Sequence, residues 1–480
     1  MLKNYQWKVM IVLSILIFGL GVFRVFFVVL HSPVLGYANN FDMVRIQSCH
    51  QIWPSGSDVD AGSRTYEKPL EDYKFKNIGL GDRYPSSELF FTYLGEYLIK
   101  TLQYVYFLDK DNGFSVKIFG VLRGFFICLA AWFFLYYYVL RKNFFLVFFH
   151  ALFFCLVIAD PANTLYLNTF YTEFSALFFC YFSVSMFFLL CNIGEHRSFF
   201  MGIFAISLCG LGLSKPQHIA VPIIIFIAFF IGNYSRLMKI KFMVFLVLVS
   251  VLGVTAFQAY FRQTSTMFSV NYANATDTFL WTVLPAATDA NQAAKILGLP
   301  NSCVEHKGKN WYTPGIQEQH PCPEVLQVSR ARILWLAIHD PQFFVTVTRQ
   351  GLAQLRPWLL QDIGSIGDRN LGFANELVFS FSDWLNKIPQ KIFNAIFLMP
   401  IVIMIFGLIM GLKNKTSRSC GFIVFYLLVV LSYVVFYSSL FGDGYADLAK
   451  HSHLYFSVLA GLVIFCFSFL ISRIAKLLAI

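Results

Sequence analysis

A chain of 480 residues that is 57% hydrophobic and 18% aromatic, with only 13% charged residues, carries about half the charge of an ordinary soluble domain and reads as a polytopic membrane protein. The net charge of +11 does not mark a nucleic-acid-binding face, because the basic residues fall in short clusters between apolar runs, where they act as topology signals.

Apolar runs lie near 8–30, 114–140, 143–159, 174–192, 199–214, 219–233, 242–261, 391–411, 420–441 and 454–472. The first is close to the ~20 residues that span a bilayer and lacks a small-x-small cleavage site, so it is expected to stay as an anchor. The runs give an all-α bundle of about ten transmembrane helices. The basic residues set its orientation. With the N-terminus inside, the cytoplasmic ends and loops hold Lys3, Lys8, Arg141, Lys142, Arg197, Arg236, Lys239, Lys241, Lys413, Lys415, Arg418, Arg473 and Lys476 against the single acid Glu195. Both termini are then cytoplasmic, and the long or unusual loops fall outside: 31–113, 160–173, the corner at 214–218, 262–390 and 442–453. Chemistry or binding is expected on that outer side. Three parts follow: helices 1–7 with the first outer loop in 1–261, an outer helical domain in 262–390, and three further spans in 391–480.

In the first outer loop Glu88, Thr92, Glu96, Lys100 and Gln103 recur at helical spacing, with Phe90, Tyr93, Leu94, Tyr97, Leu98 and Val105 opposite. This pattern predicts an amphipathic helix on the membrane surface, or one packed against the outer domain. In 262–390 the pattern predicts a helix near 323–339 and a second from Asp340-Pro341 to Leu355, where Asp is a good N-cap and Pro357 ends the helix. Most of the ten cysteines lie inside apolar runs. Cys303 and Cys322 share the outer domain, where an oxidising compartment favours a disulfide. No Cys/His spacing of zinc type is present, and no metal ligands are assigned.

Polar clusters at the outer boundary carry the candidate chemistry. Gly36-Tyr37-Ala38-Asn39-Asn40-Phe41-Asp42-Met43-Val44-Arg45 follows the first span. Asp42 is placed to take a proton from a hydroxyl, with Asn39, Asn40 and Arg45 orienting it or binding sugar hydroxyls; the plainer reading is a helix cap. The turn 160–173 adds Asn163, Tyr166, Asn168, Tyr171 and Glu173; Glu173 is either a ligand-binding acid or a charge at a helix N-terminus. Lys215-Pro216-Gln217-His218 joins two apolar runs, where a lysine meets a lipid phosphate or snorkels to water. In Gly442-Asp443-Gly444-Tyr445-Ala446-Asp447-Leu448-Ala449-Lys450-His451 the glycines permit a tight turn, and Lys450 and His451 suit a phosphate. Arg356 is a further phosphate candidate, and Arg24, inside the first span, is expected to snorkel.

In their order and spacing these segments, with Leu297-Gly298-Leu299-Pro300 and Leu355-Arg356-Pro357, resemble the GT-C glycosyltransferases, and among them bacterial surface-glycan hexose transferases and pilin arabinosyltransferases. The resemblance runs over nearly the whole chain. It implies a polyprenyl-phosphate-linked sugar donor, Asp42 as general base, and Lys215 with the 442–451 turn on the donor phosphate; it assigns no role to Glu173. The expected reaction is inverting transfer of a sugar to a hydroxyl of a periplasmic glycan or protein such as pilin, at the outer face of a bacterial inner membrane. A divalent metal has no dedicated ligand set, although Asp42 with Glu173 would supply one if they converge. An O-antigen ligase or polymerase, and a lipid-linked sugar transporter or flippase, are the competing readings.

Overall fold

The computed structural model describes residues 2–38, 41–55, 68–78, 83–105, 113–192, 197–237, 241–262, 264, 267–360, 380–414 and 420–478. Each of the ten apolar runs forms a helix. Six are long and apolar enough to cross a membrane: Lys8–Leu30, Lys117–Leu140, Glu173–Cys191, Phe242–Phe261, Phe422–Asp443 and His453–Ile471. The apolar parts of the other four, Phe145–Ile158, Ser198–Ser214, Pro216–Ile231 and Gln390–Val402, are shorter. Among the described residues, six clear spans therefore stand out of the ten expected.

In chain order the first ten helices are α1 Leu2–Leu30, α2 Phe41–His50, α3 Glu88–Tyr104, α4 Lys117–Leu140, α5 Phe144–Phe153, α6 Pro161–Thr164, α7 Glu173–Asn192, α8 Arg197–Ser214, α9 Ala220–Leu237 and α10 Lys241–Phe261. Helix α7 is apolar all round and is enclosed by α4, α8, α9 and the last two long helices. Its span window is 83% buried against 17% for α10, so α7 is the axis and α10 the rim of the bundle.

The first long loop departs from the all-α expectation. Its three short strands, β1 Ile52–Pro54, β2 Asp72–Phe75 and β3 Phe114–Ser115, form an antiparallel sheet in that order, with Trp53 opposite Lys74 and Tyr73 opposite Phe114. The sheet ties the chain after α2 to the chain before α4.

Helix α3 forms where its periodicity placed it. Glu88, Thr92 and Gln103 are buried, whereas Phe90, Tyr93, Tyr97, Tyr104 and Val105 are exposed. Its apolar side faces outward, as a surface against lipid requires, and its polar side turns into the protein. Arg123 of α4 pairs with Glu88 at 2.8–2.9 Å and donates to the carbonyls of Leu167 and Thr169, while Ser175 N–H donates to the other Glu88 oxygen at 3.0 Å. Burial pushes the Glu88 carboxyl up to about 7 against the pull of Arg123. Both side chains are 0% exposed, so neither is screened by water.

Arg24 does not snorkel. It is buried and donates to the Cys155 carbonyl at 2.6 Å beside Asp160, 3.7 Å away. In the segment 262–390, the helix expected near 323–339 is a 3-10 turn, Pro323–Gln327, followed by a helix over Ala331–His339, and the second expected helix is Pro341–Gln354; Phe268–Thr276, Ala290–Leu297 and Phe381–Lys387 are also helical. Asp340 caps the second through Phe343 N–H at 2.9 Å, and Cys303 and Cys322 form a disulfide with Cα atoms 5.3 Å apart.

Arg123→Met should lower unfolding free energy by about 3–5 kcal/mol, because it leaves Glu88 buried without its cation. Glu88→Gln combined with Arg123→Met should recover part of the loss, the carbonyl bonds of Arg123 remaining unmade. Thermal unfolding in detergent measures both.

Candidate functional site

Loops that are distant in sequence meet in one cavity of about 900 Å³. Its wall includes Asp42 and Arg45 of α2, Lys215 and Gln217 of the α8–α9 corner, and Asp443, Asp447, Lys450 and His451 of the turn between the last two long helices. Asp42 falls in the first turn of α2, where an acid is favoured by the helix dipole. It is one residue inside the helix, so it is not the N-cap. One oxygen lies 3.0 Å from Arg45, and the other accepts from Lys450 Nζ at 2.7 Å. Lys450 also donates to Asp447 at 2.8 Å and sits over the Tyr171 ring, 5.8 Å from its centroid.

Lys215 is placed by an extended backbone between the end of α8 and the 3-10 turn Pro216–His218. Its ammonium pairs with Glu173, the first residue of α7, and donates to His451 Nδ1 at 3.1 Å. That bond fixes the His451 tautomer with the proton on Nε2, which stands 3.5 Å from Asp443. Gln217 bonds to the same Asp443 carboxylate. The turn is shaped by left-handed backbone at Gly444 (φ 69°) and Asp447 (φ 48°). A Cβ on Gly444 would overlap the Asp277 carbonyl oxygen, which is a steric reason for glycine there.

These pairings govern protonation. Burial alone would raise the Asp42 carboxyl, but Lys450, then Arg45 and Lys215, outweigh it and hold the group well below the usual carboxylate range. Burial likewise opposes the charge on Lys450, yet Asp42 and Asp447 keep its ammonium well above its ordinary value. His451 is held neutral by burial and by the nearby Lys215 and Lys450. Asp42 is engaged by Lys450 and Arg45, and Glu173, the other acid considered from the sequence for a divalent ion, by Lys215.

The remaining sequence candidates have other surroundings. Asn168 donates to the carbonyls of Val29 and Leu35, and Tyr171 to that of Ala38, so both fasten the loop that leads into α2. Glu173 is buried beneath the cavity, and its Lys215 contact is its link to it. His218 is buried against Ser214, 3.2 Å away. Arg356 donates to the carbonyls of Leu385, Asn386 and Ile388 and caps the short helix Phe381–Lys387. Asn168, Tyr171, His218 and Arg356 are not among the residues that line the cavity, and the contacts just given are within the fold. Asn39 and Asn40 lie outside the described residues.

The family described as the YfdI N-terminal transmembrane domain matches residues 2–479. The chain belongs to this family. It is a multi-pass membrane protein. No curated protein sequence matches it. Among solved structures it is similar to the archaeal oligosaccharyltransferase AglB from Archaeoglobus fulgidus, solved with an inhibitory peptide and a dolichol-phosphate. That likeness has 14% identity and a TM-score of 0.42; it covers 99% of this chain and 52% of the other, so the chain spans about half its length.

This member of the YfdI N-terminal family lines its cavity with residues that the sequence did not single out. Arg262, Asp277, Trp281, Trp311, Tyr312 and Arg330 all face it. Arg330 lies over the Phe279 ring and donates to the Phe441 carbonyl at 3.3 Å; burial lowers its guanidinium to about 10. The available signal was an acid and tryptophans within the short apolar stretches of 262–390.

The depressed Asp42 carboxyl has a defined pH signature. Its ion pairs contribute stability that is fully present above the ordinary carboxylate pKa of ~3.9 and is lost only as pH falls through the lower folded value. The melting-temperature gap between wild type and Asp42→Asn should therefore stay flat from about pH 8 to 5 and narrow only below about pH 4. A gap that closes by pH 6 would refute this ion pairing.

Proposed function

We propose that the chain is a GT-C-type glycosyltransferase that moves a sugar from a polyprenyl-phosphate donor to a hydroxyl acceptor. One observation carries the reading. A carboxylate, two buried lysines and a neutral histidine, brought from three separate segments, share a large cavity at one end of an apolar helical bundle. A cavity at that boundary admits a lipid-borne phosphate from the bilayer side and a water-borne hydroxyl from the other.

In the transfer, Asp42 takes the proton of the acceptor hydroxyl. The acceptor oxygen bonds to the anomeric carbon, and the bond from that carbon to phosphate breaks, its electron pair leaving with the polyprenyl phosphate. Direct displacement inverts the anomeric centre. Lys215 and Lys450 compensate the phosphate charge, Gln217 and His451 hold the Asp443 carboxylate in place beside Lys215, and Arg45 stays with Asp42. With Lys450 upon it, Asp42 is a weak base. A donor phosphate that draws the ammonium to itself raises the proton affinity of Asp42, so donor binding precedes deprotonation. Lysines supply the charge compensation in this scheme, and no step is assigned to a metal.

The asymmetry of basic residues supports a bacterial inner-membrane location, with cytoplasmic termini and the cavity on the periplasmic face. The acceptor is a surface glycan lipid or a protein such as pilin.

Asp42→Asn keeps the shape of the side chain and removes the base. At equal membrane abundance it should reduce transfer at least 100-fold, remove one defined sugar from a surface glycan or protein, and let the polyprenyl-phosphate sugar accumulate. Glycan mass spectrometry with donor-lipid analysis reads all three. An unchanged glycan profile would overturn the reading in favour of a ligase or a flippase, and a product of retained anomeric configuration would exclude direct displacement.

A further inference from the structure

Asp277 lines the cavity and has no part in the transfer chemistry above. It opens a π-helical segment, Asp277–Val283, and such segments are concentrated at functional sites. Its placement is strongly constrained. Thr282 Oγ donates to the Asp277 carbonyl at 2.8 Å, Tyr445 N–H donates to Thr282 Oγ at 3.1 Å, and Gly444 packs directly on that carbonyl. The glycine turn that carries Lys450 and His451 therefore also sets the position of Asp277.

The side chain is only 4% exposed. Oδ1 accepts the Trp311 N–H at 2.7 Å. Among the described residues Oδ2 has no hydrogen-bond partner, and no lysine or arginine lies within ion-pair reach of the carboxyl. A nearly buried carboxyl with an unused oxygen on the wall of a cavity this large is set to bind a polar group that enters it. The charge around it selects the group. Burial, with Asp443 and Asp447 nearby, pushes the carboxyl up to about 7 despite the Trp311 bond. A phosphate would be repelled by these acids, whereas a hydroxyl can both donate to and accept from a carboxyl near its midpoint. The adjoining wall is aromatic and amide-bearing: Trp281 lies edge-on to Tyr445 at 5.9 Å, and Trp311, Tyr312 and Asn310 complete it. Flat apolar faces beside a few polar groups suit a molecule with C–H faces and hydroxyl edges.

We propose that Asp277 is an acceptor-binding residue, its carboxyl holding a hydroxyl of the acceptor against the wall formed by Trp281 and Trp311 while Asp42 and the lysines serve the reacting centre. The inference rests on the transferase reading, and it assigns the two carboxyls of one cavity to different tasks.

The test uses the full chain in liposomes with its donor lipid, comparing wild type, Asp277→Ala and Asp277→Asn. Asp277→Ala should raise the acceptor KM at least 10-fold while leaving the donor KM within 2-fold. Asp277→Asn, which keeps an oxygen for Trp311 and an N–H for a hydroxyl, should stay within about 3-fold of wild type. An acceptor KM within 2-fold in Asp277→Ala would overturn the proposal, as would a rise in donor KM alone. A joint rise of both with a lowered melting temperature would do so too, since it marks a purely structural role. If wild type transfers no sugar, the transferase reading fails separately, and quenching of tryptophan fluorescence by an isolated cell-surface oligosaccharide decides this inference. Quenching in wild type that Asp277→Ala loses supports Asp277 as a glycan-binding residue; quenching that is equal in both, or absent from wild type, overturns it.

Discussion

A charge at the edge of a hydrocarbon region persists only beside its opposite, and this molecule is fastened by such pairs. Arg24 and Asp160 join α1 to the turn before α6, and Asp160 also accepts from Ser382 N–H. Glu88 and Arg123 join the first long loop to the bundle and to the start of α7. Glu173 and Lys215 join α7 to the α8–α9 corner, and Asp42 and Lys450 join α2 to the last turn. The pairs run from the first helix to the turn before the last. The cavity lies where the final two meet, so its charges hold the fold as well as serving whatever enters.

That double duty explains how much of the site was legible in the sequence. An acid after the first apolar run, a lysine between two apolar runs and a basic turn before the last one are conspicuous because charge is costly there. Asp42, Arg45, Lys215, Gln217, Asp443, Lys450 and His451 do converge on one wall. Asn168, Tyr171 and Arg356 looked similar in composition, yet they bond backbone carbonyls. A polar side chain beside a membrane is needed as often to satisfy a bent backbone as to meet a ligand, and composition does not separate the two.

What was not legible depended on the third dimension. The position of Asp277 is set by a π turn and by a glycine far along the chain, and no local pattern encodes that contact. The three short strands of the first loop are stabilised by pairing between segments separated by long insertions. Helix periodicity survived best: α3, the Asp340-capped helix and all ten apolar runs appear where the spacing put them. For α3 the period was right, but the direction of its faces depended on Arg123, a residue of a different helix.

Helix α3 leads beyond the cavity. His50, the last residue of the helix that carries Asp42, bonds to Glu96 at 2.6 Å and to Thr92 at 2.7 Å, both on α3. Glu96 in turn bonds Lys100 at 2.5 Å, and the apolar side of the same helix is open to the surroundings. Asp42 thus hangs from a bracket whose outer plate is upholstered for hydrocarbon. Solubilisation replaces the material against that plate, so the solvent chosen to extract the protein acts on the alignment of a carboxylate it never touches.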